Sequence, residues 1–338
     1  MAYVRGGANN EADGFTTAIA NFALRAMHES TGMVSMTNVV TPTQGNEFLV
    51  PNFAPITYAD YNPAANSGTG NAVEQNPSLA QESITATPTV AATAFDVFYA
   101  WTTSFQLAAT LGAELGESFA EKVDQRVAKA FLNFKVTPGN TNYGTTPADG
   151  FARVLQLGAM ELVPSGVTPS APTAGFTSNS VVTMIRNIKQ NFKVARMPGS
   201  PVIVIDSNGN DGVVGSTLNR LLSELTGGAV SQSGGSNLSA LGNELLSSGR
   251  IENIYGCQVM STSFLSSDTR TIDGAADTAC LVGAYFGDSA IFTVIKEGLQ
   301  IKSGEKPGGL QMWLTGLGYM GAGAGDLRRG GAINIVQD

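Results

Sequence analysis

The sequence predicts an α+β fold with a long extended arm, and three observations carry that prediction. Lysine is absent before Lys122, so residues 1–121 set Arg5 and Arg25 against eleven acids, a formal charge of −9, while the remainder is balanced at +1. From Thr41 to Thr103 helical periodicity disappears and prolines recur at Pro42, Pro51, Pro55, Pro63, Pro77 and Pro88. From Ser104 to Val136 an apolar residue then returns every four positions, from Leu107 through Leu111, Leu115, Phe119, Val123 and Val127 to Phe131. That stripe predicts a helix packed on a sheet rather than a heptad seam.

Taken in order, Phe15–Glu29 reads as a short helix, with Ile19, Phe22, Ala23, Ala26 and Met27 on one face. The proline-rich stretch holds two β-prone runs, Glu47–Tyr61 and Ile84–Trp101, around a flexible tip at Ala64–Ala72, a pattern expected of a two-stranded arm. It is too long for an ordinary loop. An isolated ribbon is marginal in water, so the arm is expected to gain order by lying on another molecule. On the long helix, Glu114, Glu117 and Glu121 precede Lys122, Arg126, Lys129 and Lys135, the order favoured by the helix dipole.

Thr137–Thr177 is irregular and carries five prolines. An α/β-like unit follows: a helix with Val181, Ile185, Ile188 and Phe192 on one face, a buried strand Pro201–Ile205, and a helix with Leu218, Leu221, Leu222 and Leu225. Gly227–Ser236 reads as a mobile loop. Strands are expected at Ile251–Ser263 and Cys280–Phe286, a short helix at Asp288–Glu297 leading into Leu299–Lys302, and a strand at Met312–Met320. A glycine-rich turn (Gly321, Gly323, Gly325) and a closing strand Ala332–Val336 complete the chain.

Composition narrows the function classes. Charged residues make up 14%, well below the usual share of about 25%, which fits a surface largely used for contacts. A net charge of −8 opposes general nucleic-acid affinity, since phosphate binding needs clustered bases. No basic-then-apolar signal segment opens the sequence and no apolar run reaches membrane-spanning length, so it reads as cytoplasmic and unprocessed by secretion. Cys257 and Cys280 read as buried small hydrophobes. His28, the single histidine, leaves no partner for a triad or metal cluster and suits a helix end instead. Asp206-Ser207-Asn208-Gly209-Asn210-Asp211-Gly212 is similar to a calcium loop, but its glycine is one residue late and Thr217 stands where a glutamate is needed. A strand-to-helix turn in which Asp211 caps the following helix explains it as well. The glycines at 321, 323 and 325 lack the βαβ unit of a phosphate loop. Arg328 and Arg329 read as an interface or solvated turn. The sequence offers no catalytic, cofactor-binding or metal site, and no cofactor is expected.

The order of these parts resembles the major capsid protein of tailed double-stranded DNA bacteriophages, an HK97-like fold shared with encapsulins. Four pieces carry the resemblance: the arm Thr41–Thr103, the long helix Ser104–Val136, the run Gly249-Arg250-Ile251-Glu252-Asn253-Ile254-Tyr255-Gly256-Cys257-Gln258-Val259 leading to Ser263-Phe264-Leu265, and the return through Phe286–Lys302 to Gly330–Val336. The resemblance implies an N-terminal arm with a short helix (1–40), an extended E-loop (41–103), a first P-domain part (104–177) with the spine helix at 104–136, an A-domain (178–297) and a second P-domain part (298–338). It further implies a non-enzymatic subunit that forms hexamers and pentamers. These would close an icosahedral virion shell around packaged double-stranded DNA, assembled in the host cytoplasm. Its partners would be itself, a portal, and scaffolding or decoration proteins, with no sequence-specific DNA contact and no membrane.

Some members of that family join the arm to a neighbour by a lysine–asparagine bond. This arm has no lysine, so it cannot supply the amine. No long scaffolding segment precedes the first helix, so a separate scaffolding protein, prior processing or self-assembly is expected. The charge split adds an expected contact between Glu47, Asp60, Glu74, Glu82 and Asp96 of one arm and Lys122, Arg126 and Lys129 of a neighbour's helix. The rival readings are an encapsulin-type nanocompartment shell, a tail or decoration protein, and an acidic soluble hydrolase or binding protein.

Overall fold

The computed structural model describes residues 18–25, 32–42, 45–53, 79–134, 160–162, 176–178, 180–194, 197–208, 217–225, 250–265, 270–277, 280–305 and 311–335. Alternation along a strand sends successive side chains to opposite faces. In β7 (Val202–Asp206), Ile203 and Ile205 join one core and Val204 joins another. An unbroken apolar run of this kind belongs to a strand covered on both sides. β7 lies inside a mixed seven-stranded sheet of order β6-β5-β15-β12-β7-β9-β8. The other strands are β5 (Met160–Leu162), β6 (Phe176–Ser178), β8 (Arg250–Ile254), β9 (Cys257–Thr262), β12 (Leu281–Phe286) and β15 (Gly330–Ile335).

Helices α3 (Val181–Val194) and α4 (Thr217–Leu225) supply one cover. Val181, Met184, Ile185, Ile188 and Phe192 of α3, with Leu221 of α4, pack against Ile203, Ile205, Val259, Tyr285 and Ile333. The two helices are tied at their ends by Glu224. Its carboxylate accepts the N–H groups of Val181 (2.9 Å) and Val182 (2.8 Å) and the Ser180 hydroxyl (2.8 Å). A carboxylate there satisfies otherwise orphaned donors at the positive end of α3. Cys257 and Cys280 are buried in this core, as expected. The glycine motif around 249–259 also gains a physical reason. Tyr255-Gly256 is the two-residue turn joining β8 to β9, and both residues have positive φ (53° and 76°).

The second sheet has the order β1-β13-β14-β4. Its strands are β1 (Asn38–Val40), β4 (Thr87–Asp96), β13 (Ile291–Glu305) and β14 (Gln311–Ala324). The 35-residue helix α2 (Val97–Phe131) runs over this sheet and then beneath the other. Towards its C-terminal end Val127 and Phe131, followed by Phe134, pack against Val204, Ala284, Phe286 and Ala332, with Phe131 and Phe286 stacked at 5.7 Å. Nearer its middle Phe119 approaches Gly318 of β14 so closely that a Cβ there would sit 2.2 Å from the ring. A further helix, α1 (residues 18–25), crosses α2 at Gly112 and Gly116. A Cβ on Gly116 would lie 2.1 Å from the Ala23 carbonyl oxygen, so bare backbone is required there. Buried Ile19 reaches Leu314, seating α1 between α2 and the sheet.

Several expectations need correction. α2 begins at Val97, seven residues before Ser104. No breaker separates those residues from the stripe, and Asp96 is of a type favoured just before a helix. The run Ile84–Trp101 is therefore three elements. β3 (Leu79–Thr85) pairs with β2 (Glu47–Phe53) as the arm, β4 joins the second sheet, and the rest is helix. Asp288–Glu297 is not a helix. Ile291-Phe292-Thr293-Val294-Ile295 is β-branched and aromatic, and it gains partners on both sides, β1 in parallel and β14 antiparallel. Leu299–Lys302 continues the same strand beyond a bulge at residues 295–300, and β13 crosses residue 297 without a break.

Gly321 and Gly323 lie in β14 rather than in a turn. A Cβ on Gly321 would fall 2.3 Å from the Thr85 carbonyl oxygen, and one on Gly323 would fall 2.9 Å from Ile84. The glycines let the root of the arm sit on the sheet. That root also has a core within its own chain: Val50, Ile84 and Ala86 pack with Val294, Phe48, Phe292 and Tyr319. Order in β2 and β3 thus does not await another molecule. The tip at Ala64–Ala72, the loop Gly227–Ser236 and His28 lie outside the described residues.

Gly116→Leu is expected to release α1 while leaving both sheets intact, since overpacking at such a contact costs about 1–3 kcal/mol. Limited trypsin digestion should cut faster after Arg25, with the main thermal transition retained.

Candidate assembly surface

The basic face of α2 meets a hairpin. β10 (Arg270–Ile272) and β11 (Ala275–Asp277) are joined by Asp273-Gly274, both at positive φ (45° and 78°), the two-residue geometry that suits strand twist. The turn delivers Asp273 to the helix. Its carboxylate lies 2.6 Å from Lys122 Nζ, 3.8 Å from Lys129 Nζ and 3.9 Å from Arg126 Nε, and its carbonyl accepts Lys129 Nζ at 3.0 Å. One acid thus serves three bases, and the cluster keeps a positive excess in an acidic protein.

Arg126 does more than pair with Asp273. Its guanidinium donates to the carbonyls of Thr87 and Met320 and to the Thr89 hydroxyl (2.9 Å), holding the start of β4 and the middle of β14 to the helix. Burial lowers its pKa from the usual arginine value and Asp273 acts in the opposite direction. Beside it a groove of about 290 Å³ runs between α2, β4 and β14. Leu115, Phe119, Val90 and Leu299 line its floor and Glu121 and Lys122 its rim. Val90 is 59% exposed and Leu49, out on the arm, 49%.

The structure brings Lys122, Arg126 and Lys129 together, and among the described residues the acid they meet is Asp273. Glu47 and Glu82 sit on the paired arm strands, opposite Thr85 and Val50, and Glu47 accepts the Ser83 hydroxyl. Asp60 and Glu74 lie outside the described residues. Sequence reasoning missed Asp273, although an Asp-Gly pair between β-prone runs signals such a hairpin. It also missed Asp124, an acid on the buried side of α2. Asp124 accepts the N–H groups of Met33 (3.3 Å) and Gly32 (3.4 Å), pinning the 3₁₀ turn Met33–Met36. Its signal was a charge set in an apolar stripe, between Val123 and Val127.

Parts of the other candidates have structural partners. Asp206 is buried at the end of β7 and accepts the Asn208 N–H at 2.8 Å, a local turn; residues 209–216 lie outside the described ones. Arg329 pairs with Asp326 at 3.2 Å and donates to the Asp288 carbonyl, bracing the turn before β15. Burial pushes the Cys257 thiol up to about 11, with Lys189 opposing, so little thiolate forms at neutral pH.

No protein-family model and no curated protein matches the sequence. Solved structures do match in fold. The chain is similar to the capsid protein of cyanophage P-SCSP1u at 14% identity over 90% of this chain and 87% of that one, with a TM-score of 0.59. It is similar to the mature capsid of bacteriophage PhiM1 at 13% identity, over 89% and 86% of the chains, TM-score 0.58. A virus-like particle from Pyrococcus furiosus matches at 10% identity, over 94% and 98%, TM-score 0.51. At these identities the likeness is one of fold: a mixed helix-and-strand chain of the HK97-like type.

Two outcomes test the surface. Burial raises the Asp124 carboxyl from 3.8 to about 6, and the N–H groups of Gly32, Met33 and Val34 only partly offset this. The folded chain therefore keeps a proton that the unfolded chain releases, and stability from this group falls as pH rises through 6. Asp124→Asn should gain stability relative to the parent between pH 4 and 7, by at most about 3 kcal/mol, in urea titrations of unassembled protein. Asp273→Ala should cost about 1 kcal/mol at low salt and less at high salt, because the bases it leaves repel one another.

Proposed function

We propose that the chain is the major subunit of an icosahedral shell, assembling as hexamers and pentamers around packaged double-stranded DNA. One observation carries the reading: about nine-tenths of the chain follows the fold of chains in phage capsids. In this reading the subunit is structural rather than enzymatic. The E-loop then lies within 41–103, the P-domain spans 104–177, with most of α2 as its spine, and 298–338, and the A-domain spans 178–297, with α3, α4 and β7. The portal, scaffolding and decoration proteins are its further partners. No lysine on the arm means that subunits are held without lysine crosslinks from it.

The arm's acids Glu47, Asp60, Glu74 and Glu82 meet the Lys122/Arg126/Lys129 cluster of a neighbour. The positive excess around Asp273 supports this. A second reading, a nanocompartment shell without a genome, is favoured by the length match to the Pyrococcus particle.

Electron microscopy of the purified chain should show closed shells or rings of five and six; a persistent monomer would sink both readings. Nuclease-resistant DNA inside particles from its native source separates genome shell from nanocompartment. The arm contact is tested from its acidic side, because Arg126 also braces the fold. Changing Glu47, Glu74 and Glu82 to Gln with Asp60 to Asn should weaken assembly by roughly 0–1 kcal/mol per pair. It should also flatten the dependence of assembly on salt, measured by light scattering.

A further inference from the structure

In the two larger sheets, three of the four edge strands are short: β1 and β6 have three residues and β8 has five. β4 is the exception. Its ten residues pair with β14 in unbroken register from Thr87–Met320 to Asp96–Gln311, and no described strand lies on its other side. Natural edges are guarded by charge, proline, bulges or brevity, because their free N–H and C=O groups recruit other strands. From Thr87 to Phe95 there is no charged residue and one proline, Pro88, near the start. Val90, Ala91, Ala92, Thr93 and Ala94 are all exposed.

We propose that β4 is a strand-addition edge whose occupant is β4 of a second copy, paired antiparallel across a two-fold axis. Its ends differ in charge. The Lys122/Arg126/Lys129 cluster, three bases around Asp273, lies beside the start, where Arg126 bonds Thr87 and Thr89, and Asp96 is the last residue of the strand. Antiparallel pairing sets the acid-bearing end of each copy beside the basic end of the other, whereas parallel pairing sets like beside like. A register centred on Ala92 places Pro88 opposite Asp96, Val90 opposite Ala94, and Ala92 opposite itself. The central side chains are small and uncharged, so neither edge repels its copy. Such a contact uses the same patch on both partners and closes upon itself. It rests on the shell reading only for its supply of copies.

Single cysteines at Ala91, Ala92 and Thr93 test the pairing under mild oxidation of the full-length protein, the native cysteines being buried. Ala92→Cys should give a disulfide-linked dimer on non-reducing gels. Ala91→Cys and Thr93→Cys should crosslink chiefly when the two variants are mixed. Ala92→Lys should raise the concentration needed for association about ten-fold, with circular dichroism and thermal unfolding of the monomer unchanged. Uncrosslinked Ala92→Cys in otherwise normal shells overturns the proposal, as does its crosslinking to a cysteine placed at Leu49. If no shell forms, the shell reading fails, yet an Ala92→Cys dimer in solution still supports the edge pairing and an uncrosslinked monomer overturns it.

Discussion

The packing of one helix against two sheets is the constraint on which the rest depends. α2 is 35 residues long, about 50 Å at 1.5 Å per residue, and its apolar stripe is divided between two sheets. Phe119 presses on Gly318 in one sheet, while Phe131 stacks on Phe286 in the other. The four-residue spacing rotates slowly around the axis, so the stripe faces first one sheet and then the other. Neither sheet contact forms correctly unless the helix is continuous, which places the interior of α2 among the least tolerant parts of the molecule.

Charge on the same helix follows that geometry. Where α2 passes between the sheets, its exposed side has room for the β10–β11 turn, and Asp273 settles among three bases. On the inner side Asp124 is held by the Gly32 and Met33 amides, a carboxylate that fastens the incoming chain at the expense of its own hydration. Two acids, the half-buried Asp273 and the buried Asp124, thus anchor separate segments to one helix.

Much of this was legible in the sequence. The stripe from Leu107 to Phe131 declared α2, and Val181, Ile185, Ile188 and Phe192 declared α3, because helical periodicity is local. Ile291–Ile295 was misread because its apolar spacing fits either period, and only partners remote in sequence, β1 and β14, decide it. The glycines of β14 were misread for a related reason. Gly321 and Gly323 look like turn residues until Ile84 and Thr85 are known to lie against them. For the surface, the bases of α2 were visible, but their counterion lies 144 to 151 residues further on, beyond the reach of any spacing rule.

The junction of β3 and β4 has a mechanical consequence. Ala86 alone separates the arm from β4, so tension on the arm enters that strand along its axis. Ten pairs with β14 then resist together in shear rather than opening singly from one end like a zipper. The Arg126 guanidinium, bonded at both Thr87 and Met320, rivets the two strands where the force arrives. Pull on the arm is thus carried by a ladder loaded in its stiffest direction.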